Sequence, residues 1–411
     1  MRVLYLHQFF ATRESSLGLI RSYEFSRRMI ERGHQVTIVT SSSRLPEEYD
    51  RRAFVDGAID GIRVRSVRVR YSNFMSYGRR MWSFLLFTIG ATWLATTAGR
   101  HDVVFATSTP LTVGIPGWIA AALTRTPFVF EVRDLWPEAA IQMGALRPGG
   151  LIARIAKRLE RFLYHRAAAV VALSPGMAEG VIAEGVDPSR VHMIPNSADL
   201  DLFQPGEKDP QFLRDHGLEG RFVVGYAGAI GPSNAVEEHV PEAARLLKEQ
   251  GRDDIVFVIA GDGKSRPALE SAVADQGLDN VRLIGLLPKR EVPTLTRSAD
   301  VLMTLFADVP ILATNSPNKF FDALASGRAV IVNQPGWTRQ LVEEHEVGIY
   351  IPVGDGRALA EAVVRLADDP GLRLRMSRNA RALAEREFAR DILAERLITV
   401  LEAVAARSER R

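Results

Sequence analysis

Short runs of β-branched and other apolar residues alternate along the chain with longer stretches in which apolar positions recur every three or four residues. The first run, Arg2–Leu6, reads as a strand. A helix is predicted over 17–32, ended by Gly33, and HQVTIVTS is the next strand, so the chain opens with a βαβ unit whose crossover is right-handed. Further strands are predicted at 102–107, 127–132 and 168–174, with helices at 112–124, 150–166 and 175–184. Apolar strands separated by helices describe an α/β fold with a parallel, doubly wound sheet.

The pattern breaks at VHMIPNSADLDLFQPGEKDPQ, residues 191–211, where Pro, Asn, Asp and Gly supply turn chemistry. A domain boundary is placed there. A second series follows, with strands at 221–228, 255–261, 281–287, 300–306 and 328–333, and residues 386–411 read as a closing amphipathic helix with a charged end. Two similar α/β halves imply a cleft bounded by the carboxyl ends of both sheets.

Length and composition fit this division. With 411 residues, 46% hydrophobic and 25% charged, the chain is globular in type and longer than one core usually supports. It contains no cysteine, which excludes disulfides, thiolate metal ligands and a cysteine nucleophile and fits a reducing compartment. MRVLYLHQFF lacks the charged front and small-residue cleavage site of a signal peptide, so a cytoplasmic location is the expectation.

The formal charge of +3 is small but unevenly spread. Arg63, Arg65, Arg68, Arg70, Arg79 and Arg80 fall in a stretch from Gly61 to Arg80 without an acid. IRVRSVRVR reads as an edge strand with valines inward and arginines outward, slipping register at Ser66-Val67. A second reading joins it to the uncharged MWSFLLFTIGATWLATTA at 81–98, as basic and aromatic surface held on an anionic membrane. The apolar run is at the short end of spanning length and is interrupted by Thr and Gly, so a packed helix is expected rather than a span.

Candidate chemistry concentrates in the second half. GYAGAIGPSNAVE places Gly228 and Gly231 at a strand-to-helix turn, where absent side chains let a phosphate approach the backbone and a helix amino end, although such glycines can also merely solve a tight bend. In SPNKFFDALASGRAVIV, Ser316-Pro317 signals a helix start, which puts Asn318 and Lys319 in the first turn and Asp322 three residues beyond Lys319 on one face. Free N–H groups with one ammonium suit a pyrophosphate, and an acid one turn on suits ribose hydroxyls, which together describe a nucleotide-sugar site. The alternative is a surface i,i+3 salt bridge between Lys319 and Asp322.

The ordered motifs IPNSADLDLF, GYAGAIG, VIAGDG, NVRLIGLLPKREVPTLTRSADV and SPNKFFDALASGRAVIV, with EVRDLWPEAA and VVALSPGMAE in the first half, resemble the retaining GT-B glycosyltransferases of the bacterial group 1, or family 4, type. The chain is similar in particular to the N-acetylfucosamine transferase-like subgroup of surface-polysaccharide and O-antigen synthesis, over nearly its whole length. The resemblance implies two Rossmann-like domains facing across a cleft: an acceptor-binding domain at 1–198, a nucleotide-sugar donor domain at 199–385 and a closing helix at 386–411.

Carried over by position, the resemblance gives Asp322 the place of the ribose-binding acid that closes a Glu-x7-Glu element, whose first acid is replaced here by Thr314. The family's arginine and lysine after the first donor-domain strand correspond to Ala229 and Asn234, which leaves Lys319, in the element that also holds Pro317 and Asn318, as the replacement cation on the diphosphate. Gly285 and Leu286 are expected to read a uracil base through their backbone. Arg133-Asp134 stands where many members carry His-Asp; an arginine there is no general base at neutral pH but can neutralise a phosphate. Gly18, Trp136 and Glu138 are implied on the acceptor side. His7, ending the first strand, either faces the cleft or packs within its domain.

Asp199-Leu200-Asp201 matches the family's hinge rather than a metal site, so neither a metal nor a cofactor beyond the nucleotide-sugar is expected. The leaving diphosphate is then stabilised by Lys319, backbone N–H groups and Arg133. The implied mechanism is a front-face displacement with retention, in which the leaving phosphate helps to deprotonate the acceptor. The expected partners are a UDP-linked sugar, an N-acetylated amino sugar by subgroup likeness, and a polyprenyl-diphosphate-linked saccharide acceptor. An anionic membrane surface on the cytoplasmic side is a third, approached peripherally, with Trp82, Phe84 and Phe87 near the headgroups; no nucleic acid is expected. A sugar-nucleotide epimerase of similar shape, and an inactive homologue acting as a binding subunit, stay open on sequence alone.

Overall fold

The apolar runs become the strands of two separate sheets. The structure, a computed structural model, describes residues 1–13, 20–72 and 75–409. The chain divides into one unit of Met1–Pro195 with Asp391–Arg411 and a second of Asn196–Arg390. The terminal helix Arg390–Glu409 therefore returns to the first unit.

The first unit holds β1 (Arg2–Leu6), β2 (Gln35–Ser41), β3 (Phe54–Ile59), β4 (Ile62–Val67), β5 (Val103–Thr107), β6 (Phe128–Val132), β7 (Ala169–Ala172) and β8 (Val191–Met193) in the order β3-β4-β2-β1-β5-β6-β7-β8. β5, β6 and β7 are buried along their whole length, as continuous apolar strands with helices on both faces must be. On one face Val3, Tyr5, Phe25 and Met29 share a core with Leu393, Leu397 and Leu401 of the terminal helix, so that helix completes the unit. The other face carries the helices Tyr77–Thr96, Gly114–Thr124 and Leu151–Arg166. A side chain at Gly117 would stand 2.9 Å from Ala106 Cβ, which is why the middle helix can lie so close to the sheet.

Three expectations change here. β4 is not the edge, because the unpredicted β3 pairs antiparallel outside it and makes the sheet mixed rather than wholly parallel. Arg63 does point outward, to Asp56 at 2.7 Å, but Arg65 is buried: the helix Tyr77–Thr96 covers its end of the strand, and the guanidinium donates to the Leu94 carbonyl and the Thr97 hydroxyl. Phe84 and Phe87 are buried against the sheet rather than near any headgroup, while Trp82 is exposed. Among the described residues no helix is long and apolar enough to cross a membrane. The first helix is Arg21–Glu31, and Gly18 lies outside the described residues.

The second unit is a six-stranded parallel sheet of β9 (Phe222–Ala227), β10 (Ile255–Ala260), β11 (Val281–Gly285), β12 (Val301–Thr304), β13 (Ala329–Val332) and β14 (Gly348–Tyr350), ordered β11-β10-β9-β12-β13-β14. The chain winds one way from β9 and then the other way from β12, so the strand order reverses at β9. Ligands of open α/β sheets bind beyond the carboxyl ends of the strands at such a point.

Candidate functional site

In the second unit the carboxyl ends of β9, β10 and β11 all finish in glycine-containing turns that touch one another. Gly228 N–H donates to Ala260 O at 2.9 Å and Gly261 N–H to Gly285 O at 2.8 Å. A Cβ on Gly261 would lie 1.9 Å from Gly228 O, so the close approach of these turns requires glycine there. Gly231 differs, because a Cβ on it would meet nothing within 4 Å. Neither the fold nor a neighbour demands its missing side chain, which leaves open space beside the backbone. Gly285 has φ +77° and Leu286 is exposed beyond it.

Lys319 enters this place from the next element. Pro317 is extended and the helix Asn318–Ala325 starts directly after it, which sets Asn318 and Lys319 in the first turn. A Cβ on Gly228 would stand 3.3 Å from Lys319 Nζ, so that glycine is what makes room for the lysine. Nζ donates to the Tyr226 hydroxyl at 2.7 Å and lies 4.4 Å from the centre of its ring. The Tyr226 hydroxyl in turn donates to Ala229 O at 2.7 Å. With its amide oriented to satisfy both ends, Asn234 accepts from Nζ at 3.1 Å and donates to Ala229 O. Burial alone pushes the Lys319 ammonium down to about 7, and among the described residues no carboxylate pairs with it. A largely buried cation offered only neutral partners is a site that an anion completes.

Asp322 does not face the same way. Its carboxylate is held by Lys289 Nζ at 2.6 Å, with Lys289 also 4.4 Å from the Phe203 ring. Burial raises the Asp322 carboxyl above its ordinary value, and Lys289 opposes the shift. The i,i+3 salt bridge between Lys319 and Asp322 is therefore not formed: each side chain has its own partner from a distant segment. Asp199 of the Asp-x-Asp pairs with Arg390 at 2.8 Å, as a structural clamp at the two ends of this unit.

In the first unit a second group of charges collects at the ends of β1 and β6. His7 is buried, with Nδ1 2.7 Å from the Ser22 hydroxyl, and does not open to solvent. Burial holds its pKa well below the usual value, reinforced by the nearby charges of Arg133 and Arg44, so the ring is neutral at pH 7. Arg133 N–H donates to the Ser108 hydroxyl at 2.9 Å, and Asp134 accepts from Thr109 Oγ1 at 2.8 Å, its carboxyl raised by burial. Trp136 is partly buried, and Glu138 opens the short helix Glu138–Gln142. Behind them Glu131, fully buried, accepts from Arg21 at 3.0 Å and from Thr107 at 2.6 Å.

Tyr226, Lys289, Arg44 and the Arg21–Glu131 pair were not singled out in the sequence. Tyr226 carries the one local signal, a hydroxylated ring two residues before Gly228 in GYAGAIG, where a strand end meets a binding turn. The others are defined only by partners remote along the chain.

Two family models match the chain: the glycosyl transferase 4-like domain over residues 20–197 and glycosyl transferases group 1 over residues 221–369. The chain is similar to the alpha-D-kanosaminyltransferase of Streptomyces kanamyceticus, 31% identical over 242 residues, or 57% of this chain and 60% of that protein. That alignment spans less than two thirds of the relative. The chain is also 27% identical over 289 residues to the UDP-Gal:alpha-D-GlcNAc-diphosphoundecaprenol alpha-1,3-galactosyltransferase of Escherichia coli, covering 69% of this chain and 70% of that one. Among solved structures, Anabaena HepE in complex with UDP and glucose has a TM-score of 0.71 at 19% identity, over 98% of this chain and 100% of that one.

Proposed function

We propose that the chain, whose two halves match the glycosyl transferase 4-like and glycosyl transferases group 1 models, moves a sugar from a UDP-linked donor to a lipid-linked saccharide acceptor, with retention at the anomeric carbon. The observation that carries this reading is Lys319, a largely buried ammonium without a carboxylate partner among the described residues, set beside Gly228 at the ends of a parallel sheet. A diphosphate supplies the negative charge that the lysine lacks. The open space beside Gly231 gives its oxygens access to the backbone.

In this reading the bond between the anomeric carbon and the β-phosphate oxygen breaks, and the acceptor hydroxyl oxygen forms the new bond on the same face. The hydroxyl proton passes to the departing phosphate. Lys319 stabilises the charge that grows on that phosphate, and Tyr226 and Asn234 hold the ammonium at the required place. Arg133 and Arg44, which both act on His7, provide positive charge in the first unit suited to an acceptor phosphate. This second anionic ligand distinguishes a transferase from an epimerase, which needs only the sugar nucleotide.

The uridine preference draws on the UDP named with HepE and the UDP-Gal of the galactosyltransferase, and the lipid-linked acceptor draws on that enzyme's diphosphoundecaprenol. An N-acetylated amino sugar and a role in surface-polysaccharide synthesis follow the subgroup likeness. A thermal-shift panel of nucleoside diphosphates tests the donor side: UDP is expected to stabilise most, and a clear preference for GDP or ADP overturns that part of the proposal. The anomeric configuration of the product, read by NMR, tests retention.

A further inference from the structure

One helix of the first unit is apolar on both sides. Along Tyr77–Thr96, Phe84, Phe87, Ala91, Leu94 and Ala95 pack inward. The opposite face, at i, i+3 and i+4 spacing, presents Met81, Trp82, Leu85, Leu86, Ile89 and Trp93, with Trp82 60% and Ile89 62% exposed. A surface helix ordinarily turns polar residues to water, and contiguous exposed apolar surface of this kind marks an interaction site.

The segment that carries the stripe is basic. No acidic residue occurs between Asp60 and Asp102, a stretch that includes Arg79 and Arg80 at the amino end of the helix. The helix Leu151–Arg166 lies on the same side of the sheet, beyond Gly114–Thr124, and repeats the pattern. Its first turns expose Leu151, Ile152 and Ile155. From Glu138 to Glu160 the intervening chain carries Arg147, Arg154, Lys157 and Arg158 and no acid. Arg63 and Arg68 pair with Asp56 and Asp50, and Lys157 with Glu160, but among the described residues Arg79, Arg154 and Arg158 pair with no carboxylate.

We infer that this face docks in the plane of an anionic lipid bilayer, with the stripe on Tyr77–Thr96 entering the boundary between headgroups and acyl chains and the unpaired arginines meeting lipid phosphates. From Met81 to Trp93 the stripe runs roughly 18 Å, too short to cross a bilayer but suited to lying along it. Trp82 and Trp93 near its ends carry amphipathic rings that favour the interface. A second copy of the chain is the poorer occupant, since a two-fold contact would set arginines against arginines, while Asp50, Asp56 and Glu160 are already paired with Arg68, Arg63 and Lys157. The inference rests on the lipid-acceptor reading for its purpose, since docking brings the first unit to the plane of such an acceptor.

The test is flotation of the full chain, without donor or acceptor, on vesicles of phosphatidylcholine alone and of phosphatidylcholine with phosphatidylglycerol, in low and high salt. Binding to the anionic vesicles is expected to exceed binding to the neutral ones at least about tenfold in low salt and to fall in high salt. Trp82→Ser/Ile89→Ser should abolish flotation, and Arg154→Glu/Arg158→Glu should remove the anionic preference, both with unchanged melting and UDP stabilisation. Wild-type protein that floats on neither vesicle, or a Trp82→Ser/Ile89→Ser variant that floats like wild type, overturns the inference. So does a solution dimer that this variant makes monomeric. If flotation behaves as expected but UDP is released only with a soluble saccharide, the docking face stands and the lipid-acceptor reading falls. Transfer to a lipid-linked acceptor in detergent without any vesicle binding gives the reverse.

Discussion

If Lys319 is the cation that meets the diphosphate, UDP binding must take up a proton and weaken as pH rises. Burial holds the free lysine at about 7, below its ordinary value, so the unliganded protein loses the ammonium above neutrality. A bound diphosphate favours the charged form and returns the group toward its ordinary value near about 10.4. Between about pH 7.5 and about 9.5 the terminal phosphate of UDP is already ionised. Over that window the protonated fraction of free Lys319 falls from roughly a quarter to roughly 0.3%, so Kd rises roughly 70-fold, about 2.5 kcal/mol. Lys319 keeps an edge open to solvent, which makes that figure an upper bound. Tyr226, pushed up by burial, does not titrate there. Isothermal titration calorimetry in two buffers of different ionisation enthalpy reads both the slope and the proton count. Lys319→Met should bind UDP weakly at every pH, and Lys319→Arg should bind with no slope over the lower part of this window, before the uracil N3–H itself ionises. A flat wild-type Kd, or the same slope in Lys319→Met, refutes the assignment of Lys319 to the diphosphate.

Three further outcomes are expected. Lys319→Ala should lower the transfer rate at saturating donor by about 2–4 kcal/mol of transition-state stabilisation, measured as UDP release. Asp322→Ala leaves the partly exposed Lys289 without its carboxylate partner and should lower stability by about 1–3 kcal/mol in denaturant titrations; unchanged stability with a raised donor KM would instead return Asp322 to the ribose. Gly261→Ala drives a Cβ into Gly228 O and should weaken UDP binding at least about tenfold without removing any polar group, so wild-type affinity would mean that the turns are not part of the site.

The sheets were legible because their strands are apolar runs bounded by turn residues, and the predicted cores of β1, β5, β6, β9 and β10 reappear with ends shifted by a residue or so. β3 escaped because FVDGAI is interrupted by Asp-Gly, a pair that reads as a turn, on a peripheral strand whose exposure alternates. β14 escaped because three residues carry no period. Arg65 was misjudged for a different reason: alternation assigns it to the same face as Arg63, but the carbonyl that accepts from it belongs to Leu94, on a helix that only tertiary packing brings there. The helix start at Pro317 and the place of Lys319 in its first turn were readable from local chemistry. What Lys319 and Asp322 touch was not, since Tyr226 lies 93 residues and Lys289 33 residues away along the chain. Spacing could say that lysine and aspartate share a helix face, but not that each is claimed from elsewhere.

The central claim, a UDP-sugar-dependent transferase with Lys319 at the diphosphate, is tested most directly by incubating the protein with UDP-linked sugars, labelled in the sugar, and a polyprenyl-diphosphate-linked saccharide. Formation of labelled lipid and release of UDP are then followed together. The account predicts that one UDP is released for each sugar transferred, with both products depending on the acceptor and both nearly absent in Lys319→Ala. Release of UDP without labelled product, transfer from a GDP- or ADP-linked sugar in preference to every UDP-linked one, or full transfer by Lys319→Ala would contradict it.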